Sequence, residues 1–163
     1  EATLNRPNAG IIIFNKEGQL LWCKRKTGDG WQFPQGGIDE GETPENAIYR
    51  EAYEEVGLGK DKIKIIKENE KWVKYDVPKE KIPRYFSFKN RKFKGQSQKW
   101  FLAQFLGQDN DINLTVHSQI EFTEWRWASY WHPVAAGVEF KKNAYRQVLT
   151  DFLPIYKDHM RAY

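Results

Sequence analysis

The sequence predicts an α/β fold, a mixed β-sheet sandwiched between α-helices. Strand-like runs flank one capped helix over residues 36–58, a second amphipathic helix closes the chain, and no linker or repeat divides it. At 163 residues with 40% hydrophobic and 15% aromatic content, one folded domain (1–163) is expected rather than a disordered chain.

Residues 5–8, Asn-Arg-Pro-Asn, form a polar entry to a first strand at 9–15, whose Ile11-Ile12-Ile13-Phe14 run has the buried-strand pattern. A turn over 15–18 leads to a second strand at 19–25, paired with the first. Lys24-Arg25-Lys26 breaks into a glycine-rich loop at 27–30, and a short strand at 31–33 runs into Pro34-Gln35-Gly36-Gly37, a loop where backbone can approach a ligand closely. Thr43 then offers an N-cap, Pro44 suits the first helical position, Glu45 places an acid in the first turn, and Gly57 ends the helix. Ile48, Tyr49, Ala52 and Val56 make its core-facing stripe. Strands follow at 62–68 and 71–76.

Residues 78–95 mix two prolines, many charges and the rings of Tyr85, Phe86, Phe88 and Phe93. Basic residues interleaved with aromatics can bind nucleic acid; they equally describe a long loop pinning its own rings, and the second reading is preferred. A strong strand covers 98–106, turns fill 107–113, and a last strand covers 120–128. A short helix or turn at 129–138 precedes the terminal helix at 140–152, with Ala144, Tyr145, Val148, Leu149 and Phe152 inward.

The chemical clue is the helix face carrying Glu51, Glu54 and Glu55 at i, i+3 and i+4. No Lys stands four residues on from any of them, so the carboxylates repel without local relief. Such a face is either a solvated surface or a site for a hard divalent cation, which takes oxygen ligands. Net charge is only +4, but between residues 60 and 99 fourteen Lys and Arg stand against five Asp and Glu. Basic surface beside an acidic helix fits a polyanionic substrate, and also fits ordinary solvated lysines. The single Cys23 excludes an internal disulfide and a thiolate zinc cluster. With no membrane-length apolar run and no charged-then-apolar leader, the expectation is a soluble, cytoplasmic protein without a membrane role.

The stretch GGIDEGETPENAIYREAYEEVGL resembles the Nudix box. Gly36, Glu42, Arg50, Glu51, Glu54, Glu55, Gly57 and Leu58 fill its defined positions, and only Ala52, where larger aliphatics are usual, departs mildly. The resemblance implies the Nudix fold and metal-dependent hydrolysis of a nucleoside diphosphate linked to another group. It extends over nearly the whole chain: RPNAG at 6–10, WQFPQGG at 31–37, QKWF at 98–101, EFTEWRW at 121–127, Ser129-Tyr130-Trp131 and the 138–141 stretch are similar to the bacterial RNA pyrophosphohydrolase branch, formerly grouped with dinucleoside polyphosphate hydrolases.

That resemblance implies the site. Glu51, Glu54 and Glu55, with Gly36 and the additional acid Glu121, would hold two or three magnesium ions, manganese being the other candidate; from the sequence alone Glu121 is merely an acid starting a strand. Glu54, Glu55 and Glu121 are candidate general bases, Glu55 first among them. Arg6, Gln35 and Lys99 would meet phosphates, with Tyr75 bordering them, although Tyr75 reads equally as a buried strand residue. Arg25, Val138, Phe140 and Lys141 would flank the base near the second nucleotide of an RNA; otherwise Arg25 is a solvated strand end and Phe140 a core ring. Glu42, Arg50, Gly37 and Gly57 would be structural, with Arg50 and Glu42 paired. The implied activity converts 5′-triphosphate RNA ends to monophosphates and so initiates mRNA decay. The alternatives are hydrolysis of dinucleoside polyphosphates or nucleotides such as dGTP, and a silent phosphate- or RNA-binding module on the same fold.

Overall fold

The computed structural model describes residues 4–28 and 30–162; Asp29, within the glycine-rich 27–30 loop, lies outside them. Its centre is the strand β1 (Leu4–Phe14), which runs parallel to β7 (Phe93–Phe105) along its whole length, from Leu4 opposite Phe93 to Phe14 opposite Gln104. The other pairings are antiparallel. β2 (Leu20–Arg25) meets β1 at Phe14, and β3 (Trp31–Gln32) and β8 (Phe122–Ala128) line the two edges of β2. β5 (Ile63–Glu68) and β6 (Val73–Asp76) pair with β7. The sheet is therefore mixed, as the sequence predicts.

Side-chain alternation along β1 divides the core into two layers. Ile11 and Ile13 face α1 (Pro44–Val56), against Ala47, Ile48, Ala52 and Val56, whereas Ile12 and Phe14 join Trp22, Phe33 and Trp100 in the opposite layer. That second layer is closed by α4 (Lys142–Arg161) through Ala144, Tyr145, Val148, Leu149 and Phe152. Burial on both faces explains why the Ile-Ile-Ile-Phe run is continuously apolar rather than alternating.

The ends of α1 follow local chemistry. The Thr43 hydroxyl accepts the Asn46 N–H at 3.1 Å, and Gly57 adopts φ 74°, a left-handed cap whose N–H reaches back to the last turn. Four expectations need correction. The first strand starts at Leu4 rather than at residue 9, because residues 5–8 pair with β7 instead of forming a separate entry. Gln35–Gly37 is not a loop but a strand, β4, paired with β1 through Gly37–Asn8, Gly36–Ala9 and Gln35–Gly10. β7 begins at Phe93, five residues earlier than expected, because β6 and β1 pair with its first half. The terminal helix continues past Phe152 through Pro154, since Ile155, Tyr156 and Met160 still have core to cover and the Tyr156 hydroxyl donates to the Gly18 carbonyl.

The segment between β6 and β7 folds into single turns, among them α2 (Ile82–Tyr85) and a 3₁₀ turn at Phe88–Asn90. Its rings divide: Phe86 is buried, Tyr85 and Phe93 are partly buried against the core, and Phe88 is exposed. A second short helix, α3 (His132–Ala136), precedes α4.

Candidate active site

Arg50 organises the acidic face of α1. Its Nε and Nη2 donate to the two carboxylate oxygens of Glu42 at 2.8 and 2.9 Å, Nη2 also donates to the Gly37 carbonyl at 2.9 Å, and Nη1 donates to Glu51 at 2.7 Å. The same Nη1 lies 3.5 Å from Glu54. The acids therefore do not repel without relief: the relief comes from an arginine preceding them rather than a lysine following them. The fork lowers the pKa of Glu42, chiefly through its hydrogen bond to Arg50.

The three glutamates part company in space. Glu51 and Glu55, one turn apart, face a cavity of about 320 Å³, and Glu121 faces the same cavity from the residue just before β8. Glu54 is turned to the flank, 3.9 Å from His117, and is not among the lining residues. Glu55 is buried and accepts the Gln35 N–H at 3.1 Å. Burial, then the charges of Glu51 and Glu121 and a hydrogen bond with Glu51, push its carboxyl well above the usual range. Burial raises Glu51 as well, opposed by that bond and by Arg50. Gly36 is required here by close approach: a Cβ at this position would collide with the Glu51 carboxylate.

The cavity pairs this acidic wall with basic and amide groups. Arg6 lies over Gly37, so that a Cβ on Gly37 would strike its guanidinium. Arg25 is not a solvated strand end; it is 8% exposed, donates to the Arg84 carbonyl at 2.7 Å, stacks 3.8 Å above the Tyr85 ring, and keeps a buried Nη1 with no hydrogen-bond partner among the described residues. Gln35 also lines the cavity.

The other expected residues stand elsewhere. Tyr75 and Lys141 sit one layer back, reaching the lining through glutamines: Gln35 Nε2 lies 3.4 Å from the Tyr75 hydroxyl, and Lys141 Nζ donates to Gln32 at 2.7 Å. Lys141 is buried, and desolvation followed by the Arg25 charge lowers its pKa well below the usual lysine value. Phe140 packs between Tyr75 and Tyr85, and Val138 lies beside Gly30; neither lines the cavity. Lys99 is not brought to it either, because its ammonium donates to the Glu70 carbonyl at 2.8 Å and lies 3.6 Å from Glu68. Sequence reasoning missed Asn8, Gln32, Gln96, Tyr85, Ser87, Asn90 and Gln119, which all line the cavity. The available signal was the alternation of Gln96 and Gln98 along β7, two amides on one face of a buried strand; Gln98 holds Asn8 and Gln35 in place at 2.9 and 3.0 Å. A larger hollow of about 630 Å³ beside residues 15–19 and 104–109 contains none of the expected site residues.

The donor set suits a hard cation: carboxylates and the Gly36 backbone, opened by the missing Cβ. Among the described residues no three acidic or imidazole side chains close a cage by themselves, because Arg50 holds Glu51 and Glu54. The fit is therefore to an ion such as magnesium, which keeps water or takes phosphate oxygens in part of its shell.

Fold and site together define a hydrolase for phosphoanhydride bonds, and the chain belongs to the Nudix family: the NUDIX domain matches residues 4–152. Hydrolases of this family generally use a divalent metal. An RNA pyrophosphohydrolase of Aeromonas hydrophila is 47% identical over 151 residues, covering 92% of this chain and 85% of the relative. One from Pseudoalteromonas translucida is 44% identical over 165 residues, covering 96% and 94%. Among solved structures, a Caenorhabditis elegans Ap4A hydrolase complex superposes with a TM-score of 0.67 at 22% identity over 91% of this chain and 98% of that one. The Escherichia coli dihydroneopterin triphosphate pyrophosphohydrolase also gives 0.67, at 19% identity over 91% and 99%. At such identities the structural likeness speaks for the fold alone.

Proposed function

We infer that this chain is an RNA 5′-pyrophosphohydrolase that converts 5′-triphosphate ends to monophosphates and thereby opens transcripts to decay in the cytoplasm. The observation that carries this is the identity of nearly half to RNA pyrophosphohydrolases over nine-tenths of the chain. In this reading residues 1–163 act as one Nudix domain. Glu51, Glu54, Glu55 and Glu121, with the Gly36 carbonyl, would hold two or three magnesium ions. Bound there, these ions supply positive charge to the phosphate oxygens and a lowered pKa for the attacking water.

The chain's own groups supply the rest. Arg6 binds the polyphosphate across from the acids, and the Gln98–Gln35–Asn8 amide cluster keeps that wall rigid. Glu55, which faces the cavity beside Glu51 and Glu121, accepts the proton of the attacking water, and burial raises its basicity. Arg25, fixed over Tyr85, offers its unpartnered Nη1 to the substrate beyond the phosphates, while Lys141 and Tyr75 position Gln32 and Gln35 from behind.

The test is a competition, in magnesium, between a short 5′-triphosphate RNA, diadenosine tetraphosphate and dGTP. The expected result is the highest kcat/KM for RNA. Preference for either small nucleotide would assign the same glutamates to nucleotide clearance; turnover of none would overturn this reading, and magnesium-independent affinity with no product would indicate a binding module.

A further inference from the structure

We propose that residues 78–95 form the track on which the RNA continues beyond the cavity, with the Phe88 ring as a stacking platform for an unpaired base. This rests on the RNA reading above and adds a binding surface to it. The segment carries seven Lys and Arg against the single acid Glu80. Such a charge excess suits a phosphodiester strand. It is also continuous with the cavity, since Tyr85, Ser87 and Asn90 belong to the lining.

The turn explains how one residue is set apart. Asn90 N–H donates to the Ser87 carbonyl at 2.8 Å and Asn90 Nδ2 to the Ser87 hydroxyl at 3.2 Å, which closes a 3₁₀ turn over Phe88–Asn90. With three residues per turn, Ser87 and Asn90 share the face that looks into the cavity, and Phe88, which does not line it, is rotated away. Three of the segment's four rings are tied to the protein: Phe86 is buried, and Tyr85 and Phe93 pack against the core. Phe88 is 84% exposed, with the Arg91 guanidinium 5.4 Å from its centre as its ring partner. A large apolar ring held in water between two residues that line the cavity, beside a cation, is the arrangement by which single-stranded RNA is bound through stacking and backbone charge. An acidic protein partner would use the charge but would leave unexplained an exposed ring set between two residues that line the cavity.

The experiment compares Phe88→Ala and Phe88→Trp with the parent chain on two substrates sharing one 5′ end, a 5′-triphosphate dinucleotide and a 5′-triphosphate decamer. Phe88→Ala is expected to lose about fivefold in kcat/KM on the decamer, mostly through KM, and nothing on the dinucleotide; Phe88→Trp should restore the decamer. Anisotropy with a 5′-hydroxyl decamer reads the track without turnover, and the alanine variant should bind it about fivefold more weakly. If the parent chain hydrolysed neither triphosphate, the proposed activity would fail while this binding difference still decided the track. Equal losses on both substrates, or unchanged decamer binding, would overturn the proposal and leave the patch to a protein partner.

Discussion

Arg50→Ala tests whether the acidic face is built or merely tolerated. The guanidinium makes four short contacts, to both Glu42 oxygens, the Gly37 carbonyl and Glu51, and its side chain is 30% exposed. A charge-assisted hydrogen bond contributes about 1.5–3 kcal/mol, and removing one partner of a buried ion pair costs about 3–5 kcal/mol. The four bonds share one group and do not add, and water can reach the truncated site, so we take the low end, about 3 kcal/mol. For a chain of this size that lowers Tm by about 6–12 °C. Arg50→Lys keeps the charge and loses the fork, and should recover less than half of the difference. Thermal unfolding by circular dichroism reads both variants, and magnesium titration should show affinity weakened about 10–100-fold because Glu51 loses its anchor. A Tm for Arg50→Ala within 2 °C of the parent, or a lysine variant equal to it, would refute the reasoning.

Glu55→Gln should lower kcat by about 10²–10⁴-fold while the metal-free Tm stays equal or rises, since the amide resembles the neutral carboxyl that burial already favours; calorimetry in chelator beside single-turnover kinetics separates the two. Gly36→Ala should displace Glu51 and weaken magnesium binding about tenfold or more, read by titration, with substrate affinity in chelator little changed. The lowered pKa of Glu42 gives stability that is present above its unfolded value of about 4.3 and is lost as pH falls through the lower folded value. Glu42→Gln should therefore be less stable than the parent at pH 7 and approach it at acid pH, as urea unfolding across that range would show.

What was legible in the sequence was what local chemistry decides. Thr43, Pro44 and Gly57 mark α1 because caps depend on a few neighbouring residues, and Arg50 finds Glu42 across only eight positions. The strand Gln35–Gly37 was hidden because two glycines carry no strand propensity; β1 imposes its conformation from a distance. The alternative of Arg25 as a solvated strand end fails because nothing near it in sequence announces Tyr85, and Lys141, expected beside the base, is drawn back to Gln32, 109 positions away. Lys99 follows Gln98 by one residue, and strand alternation sends the two side chains to opposite faces, so the amide reaches the cavity wall and the lysine reaches Glu70.

The parallel pairing of β1 with β7 also dictates when the site comes into being. Asn8 and Gln98, which meet across that pairing, are 90 residues apart, and no hairpin can bring them together. Contacts of such high contact order form slowly and only after a large loop has closed. During synthesis, Arg6 and the glutamates of α1 emerge well before the strand that completes their wall. The cavity therefore lacks a wall until residues 93–105 have joined the sheet, and Gln119 and Glu121 complete its lining only after that.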